Sequence, residues 1–180
     1  MPARAKPLRL PDAAPRLITA GPRPEWRLGE LTIVVAPARA ELRYAREPVG
    51  SSRPTPDAIR QAIARARDRL AARSRPPDAF LPALAAAYAA VRSARGAPPH
   101  ARVPLVELRD QLPGTRAQFA WDLARLRRER RLAIGGLRLD LGVATGHAAA
   151  HRARAVWIEA DGGGGSYFAT FRMIPQEVPR

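Results

Sequence analysis

The strongest constraint on this chain's fold is the punctuation of the stretch Val103–Leu132. Leu105, Leu108 and Leu112 recur at i, i+3 and i+7, the spacing of one helical face. Pro104 suits a first helical turn, where the amide it lacks would have no partner. Pro113-Gly114 then ends the helix, because the residue before proline is pushed away from α geometry and glycine accepts turn angles. Thr115, with Gln118 three residues on, forms a capping-box pattern that starts a second helix. In that helix Phe119, Leu123 and Leu126 recur at i, i+4 and i+7. Two helices joined by such a turn make a helix-turn-helix, whose second helix is the one that enters a DNA groove.

The flanking sequence divides by composition and period. Residues 1–25 carry six prolines and scattered arginine without a period, which predicts a flexible basic arm. Residues 26–54 are read as a β-hairpin and a loop. Leu31–Val35 is β-branched, Ala40, Leu42 and Tyr44 alternate with Glu41 and Arg43, and Glu47–Pro54 forms the loop. Residues 55–75 predict an amphipathic basic helix, opened by Thr55-Pro56-Asp57. Ile59, Ile63, Ala66 and Leu70 share one side of it, opposite Arg60, Arg65, Arg67 and Arg69. That basic face either touches DNA backbone or is the helix's solvated side.

Asp78 is placed to cap another helix reaching about Arg95, with Phe80, Leu84, Tyr88 and Val91 along one face. After the central stretch, Leu132–Val143 alternates with period two. It predicts one strand, with Gly135-Gly136 as a bulge or turn within it. Residues 144–153 are a less regular insertion. Ala155–Ala160 and Tyr167–Ile174 predict a hairpin with a glycine-rich tip, Asp161–Ser166, and residues 175–180 a tail.

Three helices, the last two in helix-turn-helix arrangement and followed by a β-hairpin, resemble the winged helix-turn-helix superfamily over residues 78–174. The resemblance rests on Phe80 to Val91, Leu105 to Leu112, Pro113-Gly114-Thr115, Phe119 to Leu126 and the strands at Leu132, Val156 and Phe168. It implies an α+β fold with a C-terminal β-hairpin wing, preceded here by the amphipathic helix and the N-terminal hairpin. It also implies binding of double-stranded DNA, as a transcriptional regulator or as the DNA-contacting subunit of a larger complex. A minority of the superfamily are protein-interaction modules, so an adaptor or assembly role is the alternative.

Charge points the same way. The net charge is +15, from 31 basic and 16 acidic residues, and favours a polyanion partner. Lys6 is the only lysine, so part of the arginine excess reads as the codon bias of a GC-rich genome.

Plotted at about 100° per residue, Gln118, Trp121, Arg125 and Arg128 form one outward strip of the second helix, with Arg116 at its amino end. Glutamine can pair with adenine and arginine with guanine in the major groove. Arg127 and Arg131 at the sides, and Arg152 and Arg154 beside the hairpin, are placed for backbone contacts. Asp122 is within reach of Arg125. The same strip could serve a protein partner through Trp121, as could the N-terminal hairpin or a homodimer contact.

Other functions find little support. There is no cysteine, so no disulfide, thiolate metal site or cysteine nucleophile can form. His147 and His151 stand at i, i+4 but lack a third ligand, and they read as ordinary loop histidines. No acid pair, serine–histidine set or phosphate-loop motif occurs, so neither enzyme activity nor a cofactor is expected. No apolar run is long enough to span a membrane. The expected location is cytoplasmic, at the nucleoid if the protein binds DNA.

Overall fold

The computed structural model describes residues 8, 10, 14–146, 152–160 and 164–176. They form an α+β protein of two compact units, one running to Arg73 and the other comprising Ser74–Ala160 and the chain from Gly165.

The first unit is a five-stranded antiparallel meander followed by a helix. Its strands are β1 (Arg16–Thr19), β2 (Glu25–Leu28), β3 (Leu31–Val35), β4 (Ala40–Tyr44) and β5 (Glu47–Ser52), adjacent in chain order. The register of β3 and β4 sets Leu31 opposite Tyr44 and Ile33 opposite Leu42. Alternation puts these four side chains on one face, each exposed by 1% or less. Helix α1 (Pro56–Ala72) packs on β4 and β5 and buries Ile59, Ala62, Ile63, Ala66 and Leu70, as its spacing predicts. Each large aliphatic side chain so buried contributes roughly 1.5–3 kcal/mol.

Two expectations are corrected here. The N-terminal hairpin is the centre of a five-stranded sheet, because a lone hairpin is marginal in water and gains by recruiting neighbours. β2 pairs with β3 and sets a buried Trp26 opposite Ile33. β5 occupies most of the expected loop and pairs with β4 through an irregularity between Leu42 and Arg43. Its Pro48 is tolerated because an edge strand can spare an amide. The expected arm 1–25 likewise contains all of β1 and the start of β2. Residues 1–7, 9 and 11–13 of that arm lie outside the described residues.

The second unit begins with α2 (Pro77–Ala94), then β6 (Val103–Pro104), α3 (Leu105–Asp110) and α4 (Arg116–Arg128). β7 (Ala133–Ile134), β8 (Leu137–Val143), β9 (Val156–Glu159) and β10 (Gly165–Pro175) complete it. The sheet order is β6-β10-β8-β7, with β9 also paired to β10. Phe80 of α2 meets Phe119 of α4 edge-on, ring centroids 6.0 Å apart, and Tyr88 lies 5.6 Å from Phe171 of β10. Leu84, Leu105, Leu108, Leu123 and Leu126 are fully buried around them.

Local details differ from the sequence expectations. Pro104 ends β6 instead of entering the helix, which frees it to supply the non-helical angles at the start of α3. Pro76, not Asp78, precedes α2, and Asp78 sits in the first turn. The single strand expected over Leu132–Val143 is a tight hairpin, β7 to β8. Gly135 and Gly136 have φ of 54° and 73°, the pair of left-handed residues that a two-residue hairpin turn of this hand requires. The hairpin expected from Ala155 forms, with Glu159 opposite Gly165 and Val156 opposite Phe168. His147 and His151 lie outside the described residues, as do Asp161–Gly163 of the tip. No described helix is long and apolar enough to cross a membrane.

Candidate nucleic-acid interface

Helix α4 begins as its sequence dictates. Thr115 is the N-cap, and its hydroxyl oxygen accepts a hydrogen bond from the Gln118 amide at 3.2 Å. The Gln118 side chain, which a full capping box would send back to Thr115, donates instead to Asp122 Oδ1 at 3.1 Å. Ser74 donates to the same oxygen at 2.8 Å. Gln118 and Asp122 are 8% and 3% exposed, so they form a buried polar pair one turn apart. Burial pushes the Asp122 carboxyl above its usual range, opposed by the hydrogen bonds from Ser74 and Gln118.

This pair removes Gln118 from the outward strip. Ala117, Ala120 and Ala124 are buried too, so the first two turns of α4 are covered on most sides. Trp121 is only partly exposed, with the Arg128 guanidinium 5.7 Å from its ring centroid. Asp122 turns inward, away from the expected partner Arg125. Arg125 pairs instead with Glu129 at 2.6 Å, at i, i+4, and reaches the Ser74 hydroxyl at 3.5 Å.

The remaining predicted cations divide by what holds them. Arg116 donates to the carbonyl of Ala155 and so ties the start of α4 to the segment before β9. Arg131 pairs with Asp78 at the start of α2. Arg127 is exposed and lies with its guanidinium 5.1 Å from the Phe168 ring centroid. Arg152 and Arg154 bound a single 3-10 turn before β9, and Arg154 is exposed. The structure therefore gathers Arg127 and Arg128 at the carboxyl end of α4 and withdraws Gln118. It commits Arg125 and Arg131 to acids.

One residue of this group escaped the helical-strip reasoning. Arg130 follows the C-cap and has φ of 54°, in the left-handed region. The Arg131 amide donates to the Leu126 carbonyl at 2.9 Å and the Arg130 amide to the Arg127 carbonyl at 3.1 Å. These two bonds define a Schellman ending, whose left-handed position normally holds glycine. Helix α2 ends in the same way: Ala97 bonds to Arg92 and Gly96 to Ser93, with Gly96 at φ 59°. Where α2 uses glycine, α4 uses arginine, at a cost of about 1–2 kcal/mol for a side chain in that conformation. A basic run extending past the last helical residue, with no glycine in it, was the available signal.

Arg127, Arg128 and Arg130 make no ion pair among the described residues, and the rings beside the first two carry no net charge to neutralise them. Their charges thus remain available to an anion. Three guanidiniums also satisfy the negative end of the helix dipole, which explains why the helix tolerates them without acids. Among the described residues no three metal-ligating side chains come together. The chain matches no protein-family model, no curated protein and no solved structure, so its function must be argued from this geometry and charge.

Proposed function

We propose that the second unit is a winged helix-turn-helix domain that binds duplex DNA through the carboxyl-terminal half of α4. The fold part of this reading is supported by the strand order. β10 runs between β6, which precedes the two helices, and β8, which follows them. A strand pair folding back over a helix-turn-helix in this way is what a wing requires.

The observation that carries the ligand reading is Arg130 in a left-handed conformation at the end of α4, beside Arg127 and Arg128. Backbone strain at a surface position that glycine would relieve points to a role for the side chain. Guanidiniums without acid partners are suited to phosphate oxygens. Contacts of this kind position a protein on the duplex and carry little sequence information. Trp121 on the narrow exposed face is then left as the base contact, in place of the longer strip that included Gln118. The test is binding of a mixed-sequence duplex by wild type and by an Arg127→Ala, Arg128→Ala, Arg130→Gly variant. Loss of binding in a folded variant supports the reading, whereas unchanged affinity removes this face from it.

A second reading is favoured by Trp121, which is partly exposed on a helix whose amino-terminal turns are too covered to enter a groove. In that reading Trp121 anchors a protein partner and the chain is an assembly subunit. Trp121→Ala then abolishes co-purification with a larger protein and leaves duplex binding as it was.

A further inference from the structure

The first unit holds a cleft of about 790 Å³ between β5 and the face of α1 that carries Arg65, Asp68 and Arg69. That volume falls within the roughly 300–1,000 Å³ typical of small-molecule sites. Its charge is uneven in a way that a count of acids and bases conceals. Both oxygens of the Glu41 carboxylate are already engaged, Oε1 by Arg43 at 2.6 Å and Oε2 by Arg39 at 3.1 Å. The Arg43 hydrogen bond and the charges of Arg43 and Arg39 hold that carboxyl below its usual range, so it stays ionised and occupied. Asp68 is the one lining acid left, set between Arg65 and Arg69 on the same helical face.

Arg69 is held in place without being neutralised. Its Nε donates to the Arg65 carbonyl at 3.1 Å and its terminal nitrogen to the Val49 carbonyl at 2.8 Å. Gly50 makes room for it, since a Cβ there would stand 3.0 Å from that guanidinium. Arg65 makes no ion pair among the described residues. The edge of β5 beside these groups is closed to an added strand, because Pro48 lacks an amide, the pairing is irregular and Arg69 occupies the Val49 carbonyl. A peptide strand is therefore a poor occupant, and a compact anion a good one.

We propose that this cleft binds a phosphate dianion, free or as the head of a monoester, with Arg65 and Arg69 as its guanidinium ligands and Arg39 at its mouth. Arginine forks match phosphate oxygens in geometry as well as charge. The site is distinct from α4 and independent of the duplex reading. The test follows the Gly50 and Ser51 amide resonances of the full chain during titration at constant ionic strength. The titrants are inorganic phosphate, a nucleoside 5′-monophosphate, acetate and chloride.

Saturable shifts with phosphate or the monophosphate, and none with acetate or chloride, are expected. Tighter binding of the monophosphate identifies an esterified ligand, and equal binding identifies free phosphate. Arg65→Gln, which removes no structural bond, is expected to weaken binding about ten-fold, the loss of one charge-assisted contact. Gly50→Ala, whose Cβ would press on the Arg69 guanidinium at 3.0 Å, is expected to weaken it as well. Shifts that do not saturate, shifts of equal size with acetate, or an Arg65→Gln variant that binds as wild type would overturn the proposal.

Discussion

Asp122 offers the sharpest test of how α4 is seated, because two substitutions there should move stability differently. Its Oδ1 accepts hydrogen bonds from Ser74 and Gln118 while the residue is almost fully buried. Asp122→Ala deletes both bonds and the one the carboxyl accepts from the Arg75 backbone amide, at roughly 0.5–1.5 kcal/mol each. Alanine's better helix propensity returns no more than about 0.7 kcal/mol. The expected net loss is about 1–4 kcal/mol. Asp122→Asn keeps an Oδ1 acceptor for both donors and removes the charge that burial disfavours, so it should be at least as stable as wild type at pH 7.

The sign of the pH dependence follows from the raised carboxyl pKa. The folded state holds the proton more tightly than the unfolded state. Asp122 therefore favours folding most when protonated, and that advantage is lost as pH rises from the unfolded value through the folded one. The gap between the Asn variant and wild type should widen over that window and then level off. Urea denaturation of the three proteins at several pH values between 4 and 8 measures this. If Asn loses as much stability as Ala, or if the gap is flat with pH, the carboxylate is not seated as described.

Other outcomes follow from the same geometry. Arg130→Gly is expected to raise stability by about 1 kcal/mol, by relieving a left-handed side chain at the Schellman position, while weakening duplex binding; thermal melts beside a binding assay detect the trade. Phe119→Ala, which empties the contact with Phe80, should cost about 3–5 kcal/mol in chemical denaturation. The hydrogen bond from Arg172, with the charges of Arg102 and Arg172, holds the Asp140 carboxyl below its usual range. Its contribution is present above the unfolded pKa and lost as pH falls through the folded one. Arg172→Gln should flatten the acid limb of the stability profile, by a small amount because the pair is partly solvated.

The helices were legible because each carries its own period. Ile59, Ile63, Ala66 and Leu70 define α1, and Phe80, Leu84, Tyr88 and Val91 define α2, without reference to anything else in the chain. The middle strands were legible for the same reason, through Leu31, Ile33, Leu42 and Tyr44. The outer strands were not. All four residues of β1 are exposed, so it has no alternation to read, and β5 contains the proline and glycine of a loop. Both exist through pairing to neighbours, which is a tertiary property.

The site was partly legible. Arg127 and Arg128 stand out as a basic run, but Gln118 looked like a surface residue because a helical plot cannot tell solvent from a buried hydrogen-bond partner. Its i, i+4 relation to Asp122 was the missed clue. Arg125 with Glu129 repeats it about two turns later.

We propose that α4 meets phosphates through the three arginines at its carboxyl end. It is tested most directly by the salt dependence of duplex binding, compared between wild type and the Arg127→Ala, Arg128→Ala, Arg130→Gly variant. Each phosphate contact contributes about 0.9 to the slope of log affinity against log salt. A steep wild-type slope that becomes shallower by about 3 in the variant is expected. Equal slopes in two folded proteins would contradict it.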